Sequence, residues 1–286
     1  MIGRLGLIGV GLIGGSLAAA LRAAEYVREV VGYGRSLSNL EDAMRLGLID
    51  AAFPSPEAVV READIVVIAV PVGSIGGMLA QIAGAVTGNT IITDVGSVKL
   101  GIVETARAAL AADYRRFVGG HPIAGTERSG AIAARADLFR GRRVVLTPEH
   151  DSDADALAQV HAMWTAAGAE VVHMPAAEHD RILAASSHLP HALAYALVDM
   201  LVRMDEHRAI FDCAAGGFRD FTRIAASDPT MWHDIFIANA EHIVTLLRQY
   251  QDDIETLAQA IERGDTQWLM ETLARAKHAR DALDTK

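Results

Sequence analysis

Two patterns of apolar and polar positions divide the chain, with short apolar runs in its first half and long amphipathic segments in its second. The apolar runs predict strands at residues 4–8, 29–34, 64–70, 90–94, 116–119, 142–147 and 170–173. Segments of helical spacing between them predict helices at residues 17–24, 37–46, 74–86, 99–111 and 154–167. Strands that alternate with helices are typical of a parallel sheet covered on both faces.

From residue 176 onward the strand signals stop, and apolar residues recur at helical spacing. Helices are predicted at residues 189–204, 234–247, 254–261 and 268–279. Asp228 and Pro229 are typical of a helix N-cap followed by proline at the first helical position. We therefore expect the second part of the chain to be entirely helical.

A glycine-rich turn links the first predicted strand to the first predicted helix. Gly9, Gly11 and Gly14 stand in the run GVGLIG, at the spacing G-x-G-x-x-G. Gly9 would make the tight turn, Gly11 would let the backbone approach a pyrophosphate, and Gly14 would let the helix pack on the strand. The N-terminus of the following helix favours negative charge. The motif predicts a dinucleotide site; the alternative is a glycine turn that serves helix packing alone.

Together these patterns predict an α/β fold in two domains. Residues 1–175 would form a doubly wound parallel sheet of the Rossmann type that binds the dinucleotide, and residues 176–286 an all-helical domain. The helical part carries more apolar periodicity than one small bundle should expose, so we expect a homodimer through this domain.

Composition narrows the classes of partner. The 286-residue chain has a formal net charge of −10 and is 51% hydrophobic, yet it has no apolar run of the roughly 20 residues that span a membrane. The negative charge argues against nucleic acid and anionic membranes as partners. Cys213 is the single cysteine, which excludes an internal disulfide and a cysteine metal cluster. The sequence shows no signal peptide, so we expect a cytoplasmic protein.

The end of the second predicted strand bears on the choice of cofactor. NAD-binding units usually carry an acidic residue there, which holds the ribose 2′-hydroxyl. Residues 30–36 read VVGYGRS and contain no carboxylate. Arg35 and Ser36 offer a cation and a hydroxyl suited to a 2′-phosphate, which slightly favours NADP over NAD; the alternative is a solvated arginine in an ordinary turn. Cofactor contacts are predicted at Gly9, Gly11, Leu12, Ile13, Gly14, Arg35, Ser36 and Val70.

Four further stretches place polar groups where a plain core or surface would not have them. They are DVGSVK at residues 94–99, GGHPIAGTE at 119–127, SSHLPH at 186–191 and GGFRDFTR at 216–223. The first two follow predicted strands, where ligands bind in an open parallel sheet. His121, between glycine and proline, is a poor candidate for a packed core histidine. Its neutral imidazole suits acceptance of a proton from an alcohol.

Two more histidines and one arginine are candidate binding residues. His188 and His191 are three residues apart and would share one face of a helix. No cysteine or carboxylate ligand lies in register with them, so we predict no metal site; a capping or core role is the alternative for each. Arg223 suits a bidentate clamp on a carboxylate, with an interdomain salt bridge as the alternative. The other histidines are expected at the surface or in satisfied packing: His150, His161, His173, His179, His207, His233, His242 and His278.

These motifs together resemble the prephenate/arogenate (cyclohexadienyl) dehydrogenase family of tyrosine biosynthesis. The match spans nearly the whole chain and lies in GVGLIGGS at residues 9–16, DVGSVK at 94–99, GGHPIAGTE at 119–127, SHLPHALAYAL at 187–197 and GGFRDFTRIAASDPTMW at 216–232. The resemblance implies a nucleotide-binding domain and a helical dimerisation domain. It also implies NAD(P)-dependent oxidative decarboxylation of prephenate to 4-hydroxyphenylpyruvate, or of arogenate to tyrosine.

The resemblance further implies roles for individual residues. His121 would accept the proton of the ring hydroxyl while the adjacent hydride passes to nicotinamide, after which loss of CO2 makes the ring aromatic. Ser97 resembles the family's serine that contacts this histidine and the substrate, and Arg223 resembles the arginine that binds the substrate side-chain carboxylate. The other implied pocket residues are Thr126, Glu127, Ser187, His188 and His191, with His191 favoured as a direct substrate contact.

Two other interpretations fit part of the pattern. A β-hydroxyacid dehydrogenase or imine reductase shares the two-domain layout, but it would not explain both histidine motifs and the DFTR arginine. A non-catalytic NADP sensor would keep the glycine loop and need no base, whereas His121 and Ser97 both stand at predicted strand ends. The missing acidic residue after the second strand departs from NAD-specific members of the family.

Overall fold

One mixed sheet forms the centre of the N-terminal part, in a computed structural model that describes residues 1–61, 63–126 and 128–283. Within these residues its strands are β1 (Ile2–Ile8), β2 (Val27–Tyr33), β3 (Ala51–Ala52), β4 (Ile65–Ile68), β5 (Ile91–Asp94), β6 (Phe117–Pro122), β7 (Arg143–Thr147) and β8 (Glu170–His173). They lie in the order β3-β2-β1-β4-β5-β6-β7-β8. The order reverses between β1 and β4, as in a doubly wound dinucleotide-binding sheet.

The predicted Rossmann-type sheet is confirmed, with one departure from a fully parallel arrangement. Strand β7 runs antiparallel to β6, with Gly119 opposite Thr147 and His121 opposite Val145, while the other neighbouring strands are parallel. A parallel pair needs a crossover connection, usually a helix, but an antiparallel pair does not. Among its described residues, the segment between β6 and β7 forms no helix longer than the 3₁₀ turn Ala131–Ala133, which fits the antiparallel pairing.

Helices cover both faces of the sheet: α1 (Leu12–Ala23), α2 (Leu37–Arg45), α3 (Pro56–Arg61), α4 (Val72–Ile82), α5 (Leu100–Leu110) and α6 (Ala154–Ala166). Successive side chains of a strand alternate between the two faces. Leu7 of β1 therefore belongs to one core with Leu17 of α1, whereas Ile8 belongs to the other core with Ile75 of α4. All four are fully buried, and each contributes roughly 1.5–3 kcal/mol by its burial.

After β8 the described residues form helices joined by short connections, with no further strand. The helices are α7 (Ala176–Leu183), α8 (Leu189–Val202), α9 (His207–Asp212), α10 (Gly216–Thr222), α11 (Pro229–Ala238), α12 (Ala240–Arg263) and α13 (Thr266–Asp281), with a π-helical turn, Ala184–His188, between α7 and α8. The predicted N-cap is confirmed, because the Asp228 side chain accepts the Met231 N–H at 2.9 Å and Pro229 opens α11.

The single helix predicted at residues 234–247 is wrong. Helix α11 ends before Asn239, whose φ is −119°, and α12 begins at the next residue. The Asn239 side-chain amide donates to the backbone oxygen of Asp180 at 2.9 Å and lies 3.0 Å from the His188 Nδ1. This contact with distant residues favours a break that the apolar spacing does not reveal.

The chain divides into two compact units, Met1–Asn239 and a second unit that begins at Ala240. The second unit contains α12 and α13, which contact each other as a hairpin. Gly264 (φ +63°) makes its turn, and the Asp265 side chain caps α13 by accepting the Trp268 N–H at 3.0 Å. The domain boundary after residue 175 stays a prediction. No helix among the described residues is long and apolar enough to cross a membrane.

Candidate active site

A cavity of about 1220 Å³ lies at the carboxyl edge of the sheet, within the unit Met1–Asn239. The segments that follow β1, β4, β5 and β6 line it, together with residues of α8, α11 and the 3₁₀ turn Arg223–Ala226. The carboxyl ends of parallel strands meet at one edge, and ligands bind where the strand order reverses. The cavity therefore lies where the sequence motifs predict both ligands.

The three glycines of the first turn meet different surroundings. Gly9 has φ +100°, and a Cβ there would lie 2.3 Å from the Ala69 carbonyl oxygen; a Cβ on Gly14 would lie 2.3 Å from the Gly9 carbonyl oxygen. A Cβ on Gly11 would have no heavy atom within 4 Å, and Gly11 precedes the first turn of α1. The open space at Gly11, beside N–H groups without intrahelical partners, fits a pyrophosphate.

The predicted cofactor contacts fall into two groups. Those on the cavity wall are Gly11, Leu12, Ile13, Arg35 and Val70. Gly9, Gly14 and Ser36 do not line the cavity. The Ser36 hydroxyl instead caps α2 by accepting the Asn39 N–H at 3.3 Å, whereas Arg35 borders the space beyond the end of β2.

Asn39 was not singled out from the sequence, yet it connects three segments around the glycine turn. Its side-chain amide donates to the Val10 carbonyl at 2.7 Å, and its side-chain oxygen accepts the Ala131 N–H at 2.8 Å. The glycine turn, α2 and the segment between β6 and β7 are thus held together beside the cavity.

His121 lies near the end of β6, with only 9% of its surface exposed, and borders the cavity. Its Nδ1 is 2.8 Å from Nε2 of His179, and the two rings meet edge to face. His179 is fully buried at the middle of α7, and its Nδ1 is 2.7 Å from an Asp180 carboxylate oxygen. From the sequence, His179 was expected at the surface or in satisfied packing. The adjacent Asp180 was the available signal for a buried His-Asp pair.

Asp180 is held by the start of α5. Its two carboxylate oxygens accept the backbone N–H groups of Lys99 at 2.7 Å and Leu100 at 2.9 Å. Burial alone would raise the pKa of Asp180, but hydrogen bonds from His179, Leu100 and Lys99 lower it below its ordinary value. The carboxylate is therefore ionised at neutral pH.

A second buried acid lies beneath His121. Asp94 pairs with Lys99, and both side chains are fully buried. The Lys99 Nζ also donates to the Gly120 carbonyl at 2.8 Å, while Asp94 accepts the Gly120 N–H at 3.1 Å and the Gly96 N–H at 2.8 Å. The ion pair therefore fixes both backbone polar groups of the residue that precedes His121.

The protonation of His121 is set by its surroundings. Burial lowers the pKa of His121 well below its ordinary value of 6.5, and the charges of His179, Lys99 and His188 lower it further. The imidazole is consequently neutral at pH 7, in the form that can accept a proton.

His188 and His191 both line the cavity, as their spacing predicts. His191 stacks on Trp232 with ring centroids 3.6 Å apart, and its Nδ1 donates to the Ser187 carbonyl at 2.9 Å. Burial lowers the pKa of His188 to about 4, against the opposing charge of Asp180, and burial also lowers the pKa of His191. Among the described residues no group of three or more histidine, cysteine or acidic side chains is arranged to hold a metal.

The remaining predicted substrate residues meet around the same space. Ser97, Thr126, Ser187 and Arg223 line the cavity with His121, His188 and His191. Glu127 lies outside the described residues. Arg223, the last residue of the DFTR motif, opens the 3₁₀ turn that follows α10 and lines the cavity.

The cavity wall is rich in arginine. Six of its described residues are arginines and two are aspartates, of which Asp137 pairs with Arg135. The arginines not singled out from the sequence are Arg128, Arg135, Arg140 and Arg142. An excess of cations in a cleft attracts anions, which suits a pyrophosphate and a carboxylate substrate despite the negative charge of the whole chain.

Two family profiles match consecutive parts of the chain. The nucleotide-binding domain of prephenate dehydrogenase matches residues 17–173, and the dimerization domain of prephenate dehydrogenase matches residues 175–275. Cyclohexadienyl dehydrogenase of Zymomonas mobilis is 37% identical over 98% of this chain and 96% of its own length.

Solved structures agree with these matches. Prephenate dehydrogenase from Aquifex aeolicus, in complex with hydroxyphenyl propionate and NAD+, superposes with a TM-score of 0.92, 35% identity and 99% coverage of both chains. Arogenate dehydrogenase from Synechocystis has a TM-score of 0.82 and 28% identity, over 98% of this chain and 99% of its own. The chain, with a dinucleotide cradle and a buried histidine at the carboxyl edge of its sheet, belongs to the prephenate dehydrogenase family of oxidoreductases.

Proposed function

We propose that this protein oxidatively decarboxylates prephenate to 4-hydroxyphenylpyruvate, arogenate to tyrosine, or both, with a nicotinamide cofactor. One observation carries the proposal: the neutral imidazole of His121 borders the same cavity as the open glycine turn and Arg223. Relatives named cyclohexadienyl, prephenate and arogenate dehydrogenase support this range of substrates. A β-hydroxyacid dehydrogenase or an NADP sensor would leave the histidine and arginine motifs unexplained.

The residues present fit a dinucleotide. Gly11, Leu12 and Ile13 would bind its pyrophosphate at the N-terminus of α1, and Val70 would contact it from the end of β4. When bound, the nicotinamide supplies the acceptor for a hydride. The Aquifex aeolicus structure, which contains NAD+, supports this use of the cavity.

His121 would act as the general base. As the ring carbon that bears the hydroxyl loses its hydrogen as a hydride, Nε2 of His121 takes the hydroxyl proton, and the carbon–oxygen bond becomes a carbonyl. The bond between the ring and its carboxylate then breaks, CO2 leaves, and the electron pair of that bond enters the ring. The ring becomes aromatic as the carbonyl oxygen takes up a proton and forms the phenol. A buried imidazole held neutral at pH 7 is suited to the first of these steps.

Arg223 would bind the carboxylate of the substrate side chain through paired N–H groups. His191, which is oriented by Trp232 and the Ser187 carbonyl, would contact the substrate directly. Ser97 would lie between His121 and the substrate. Thr126, Ser187, His188 and Glu127 complete the proposed pocket.

We assign the cofactor preference to Arg35. It borders the cavity beyond the end of β2, where no carboxylate follows the strand, while the neighbouring Ser36 hydroxyl is engaged as the cap of α2. A guanidinium at this place favours a 2′-phosphate, so NADP is slightly favoured over NAD.

We also propose a homodimer through the helical part. Large apolar side chains remain exposed along its helices, among them Met200 and Val202 of α8 and Ile237 of α11. The match to the dimerization domain supports the same assembly. Light scattering should give twice the chain mass, and a stable, active monomer at micromolar concentration would contradict the proposal.

An assay of substrate turnover tests the proposed function. Purified protein is supplied with prephenate or arogenate and with NAD+ or NADP+, and the absorbance of the reduced nicotinamide is followed. We expect release of CO2 together with cofactor reduction, abolished or strongly reduced in His121→Asn but kept in His207→Asn, which changes a half-buried histidine outside the cavity. Failure of the wild type to reduce either cofactor with either substrate would reject the proposed function.

A further inference from the structure

We propose that His179 and Asp180 fix the tautomer of His121, so that its Nε2 carries no hydrogen and faces the substrate ready to accept one. The proposal rests on the proposed function, because it concerns the base of that reaction. Neither residue lines the cavity. Both are positioning residues that act through His121.

The ionised Asp180 carboxylate can only accept hydrogen bonds. It already accepts the backbone N–H groups of Lys99 and Leu100, at 2.7 and 2.9 Å. The same oxygen that faces Lys99 lies 2.7 Å from the His179 Nδ1. A carboxylate at this distance requires a donor, so the His179 Nδ1 carries a hydrogen.

The position of the hydrogen on His179 then determines the position of the hydrogen on His121. A neutral His179 with its hydrogen on Nδ1 has a bare Nε2, which can only accept. That atom lies 2.8 Å from the His121 Nδ1, so the His121 Nδ1 must donate to it. Neutral His121 therefore has a bare Nε2, the nitrogen opposite this hydrogen bond. A catalytic aspartate that orients a histidine through its Nδ1 works by the same rule, here extended by one ring.

Through His179, Asp180 also stabilises His121 after this residue has taken up a proton. The groups whose charges act on His121 are Lys99 before α5, His179 of α7 and His188 of the π-helical turn. Asp94 contacts Lys99, and Asp180 contacts His179. Lys99 and the two histidines disfavour an imidazolium. The Lys99 charge is matched by Asp94, which leaves Asp180 to balance the new charge through His179.

The first experiment compares two substitutions of His179. His179→Leu removes both hydrogen bonds, whereas His179→Gln keeps a carbonyl that accepts from His121 and an amide that donates to Asp180. We expect the leucine variant to lower kcat by roughly 10²–10³-fold with KM changed less than about threefold, and the glutamine variant to recover at least about tenfold of that loss. His173→Leu is the matched control, because His173 forms the other histidine pair, 3.2 Å from His161, away from the cavity.

Equal kcat values in the leucine and glutamine variants would overturn the proposal, as would a change confined to KM. Circular dichroism of each variant confirms that it folds. A loss in His173→Leu as large as in His179→Leu would also overturn it, since the effect would then belong to any paired histidine.

The second experiment needs no turnover, so it separates this proposal from the proposed function. In protein labelled with ¹⁵N-histidine and free of substrate, NMR distinguishes the protonated and bare nitrogens of each ring, with His121→Asn and His179→Gln giving the assignments. We expect a hydrogen on Nδ1 and a bare Nε2 in His121, and a mixture of tautomers in His179→Leu. A hydrogen on Nε2 of His121 in the neutral wild type would overturn the proposal even if the enzyme is active.

Discussion

Replacing Lys99 with methionine would remove the cation of a fully buried ion pair while keeping most of its volume. The Lys99 Nζ bonds to Asp94 and, at 2.8 Å, to the Gly120 carbonyl, and neither charged side chain is exposed. Asp94 cannot turn toward solvent without breaking its hydrogen bonds to the Gly96 and Gly120 N–H groups. The variant therefore leaves a carboxylate buried without its cation.

The size of the effect follows from these contacts. Removing one partner of a buried pair costs roughly 3–5 kcal/mol, because the other charge is left uncompensated. The Gly120 carbonyl loses a hydrogen bond worth about 1 kcal/mol, and the two backbone N–H groups that Asp94 keeps offset a similar amount. We expect Lys99→Met to lower the free energy of unfolding by about 3–5 kcal/mol. Adding Asp94→Asn should return at least about 1 kcal/mol, since no buried charge then remains.

Urea unfolding followed by tryptophan fluorescence measures this change. Trp164 of α6 is fully buried in the unit that contains the ion pair, so its emission reports on the relevant core. Lys277→Met is the matched control: Lys277 pairs with Asp281 one helical turn away, but its side chain is 75% exposed, and its loss should cost less than about 0.5 kcal/mol. A cost below about 1 kcal/mol for Lys99→Met, or equal costs for the two variants, would refute the reasoning.

The cavity residues give further expected outcomes. Arg35→Ala should weaken NADP binding about 10- to 100-fold more than NAD binding, because a charge-assisted hydrogen bond is worth roughly 1.5–3 kcal/mol; fluorescence titration with both cofactors measures it, and equal losses would exclude a 2′-phosphate contact. His121→Asn should lower kcat by roughly 10²–10⁴ with a smaller effect on KM, since a base acts in the transition state. Arg223→Ala should mainly raise KM, by about 10²–10³, because the bound carboxylate keeps its charge. Steady-state kinetics checks both variants, and exchanged signatures would contradict the assigned roles.

Most of the sheet was predictable because its central strands, such as β4 and β5, are buried on both faces and therefore read as apolar runs. The predicted strand at residues 170–173 coincides with β8 (Glu170–His173), and the glycine turn is confirmed between β1 and α1. Strand β3 was missed because its two residues, Ala51–Ala52, carry no periodicity. The reversed direction of β7 was also missed, because an apolar run does not encode strand direction.

Site residues that stand in short sequence motifs were predictable. Site residues whose role depends on contacts with distant parts of the chain were not. The family prediction is confirmed, and the cavity brings His121, Ser97 and Arg223 to one space as their motifs imply. His179 was assigned to ordinary packing, because its partner His121 lies 58 positions away. The burial of Lys99 was missed for the same reason: a lysine in a loop is usually solvated, and only the fold places Asp94 and the Gly120 carbonyl around it.

The π-helical turn Ala184–His188 constrains how this segment can change in evolution. A residue advances an α-helix by about 100°, so an uninterrupted α-helix would place His188, nine positions after His179, on nearly the opposite face. The wider π turn accommodates one additional residue, which brings His188 closer to the face that carries His179. His179 can then contact Asp180 while His188 contacts Asn239, whose amide also donates to the Asp180 backbone oxygen. Deleting one residue of this turn would remove the additional residue and leave α8 in the same phase relative to α7, whereas a deletion within α7 or α8 would rotate the residues that follow it by about 100°. Single-residue deletions at Ala184–Ser186 should therefore be tolerated better than deletions within the helices on either side.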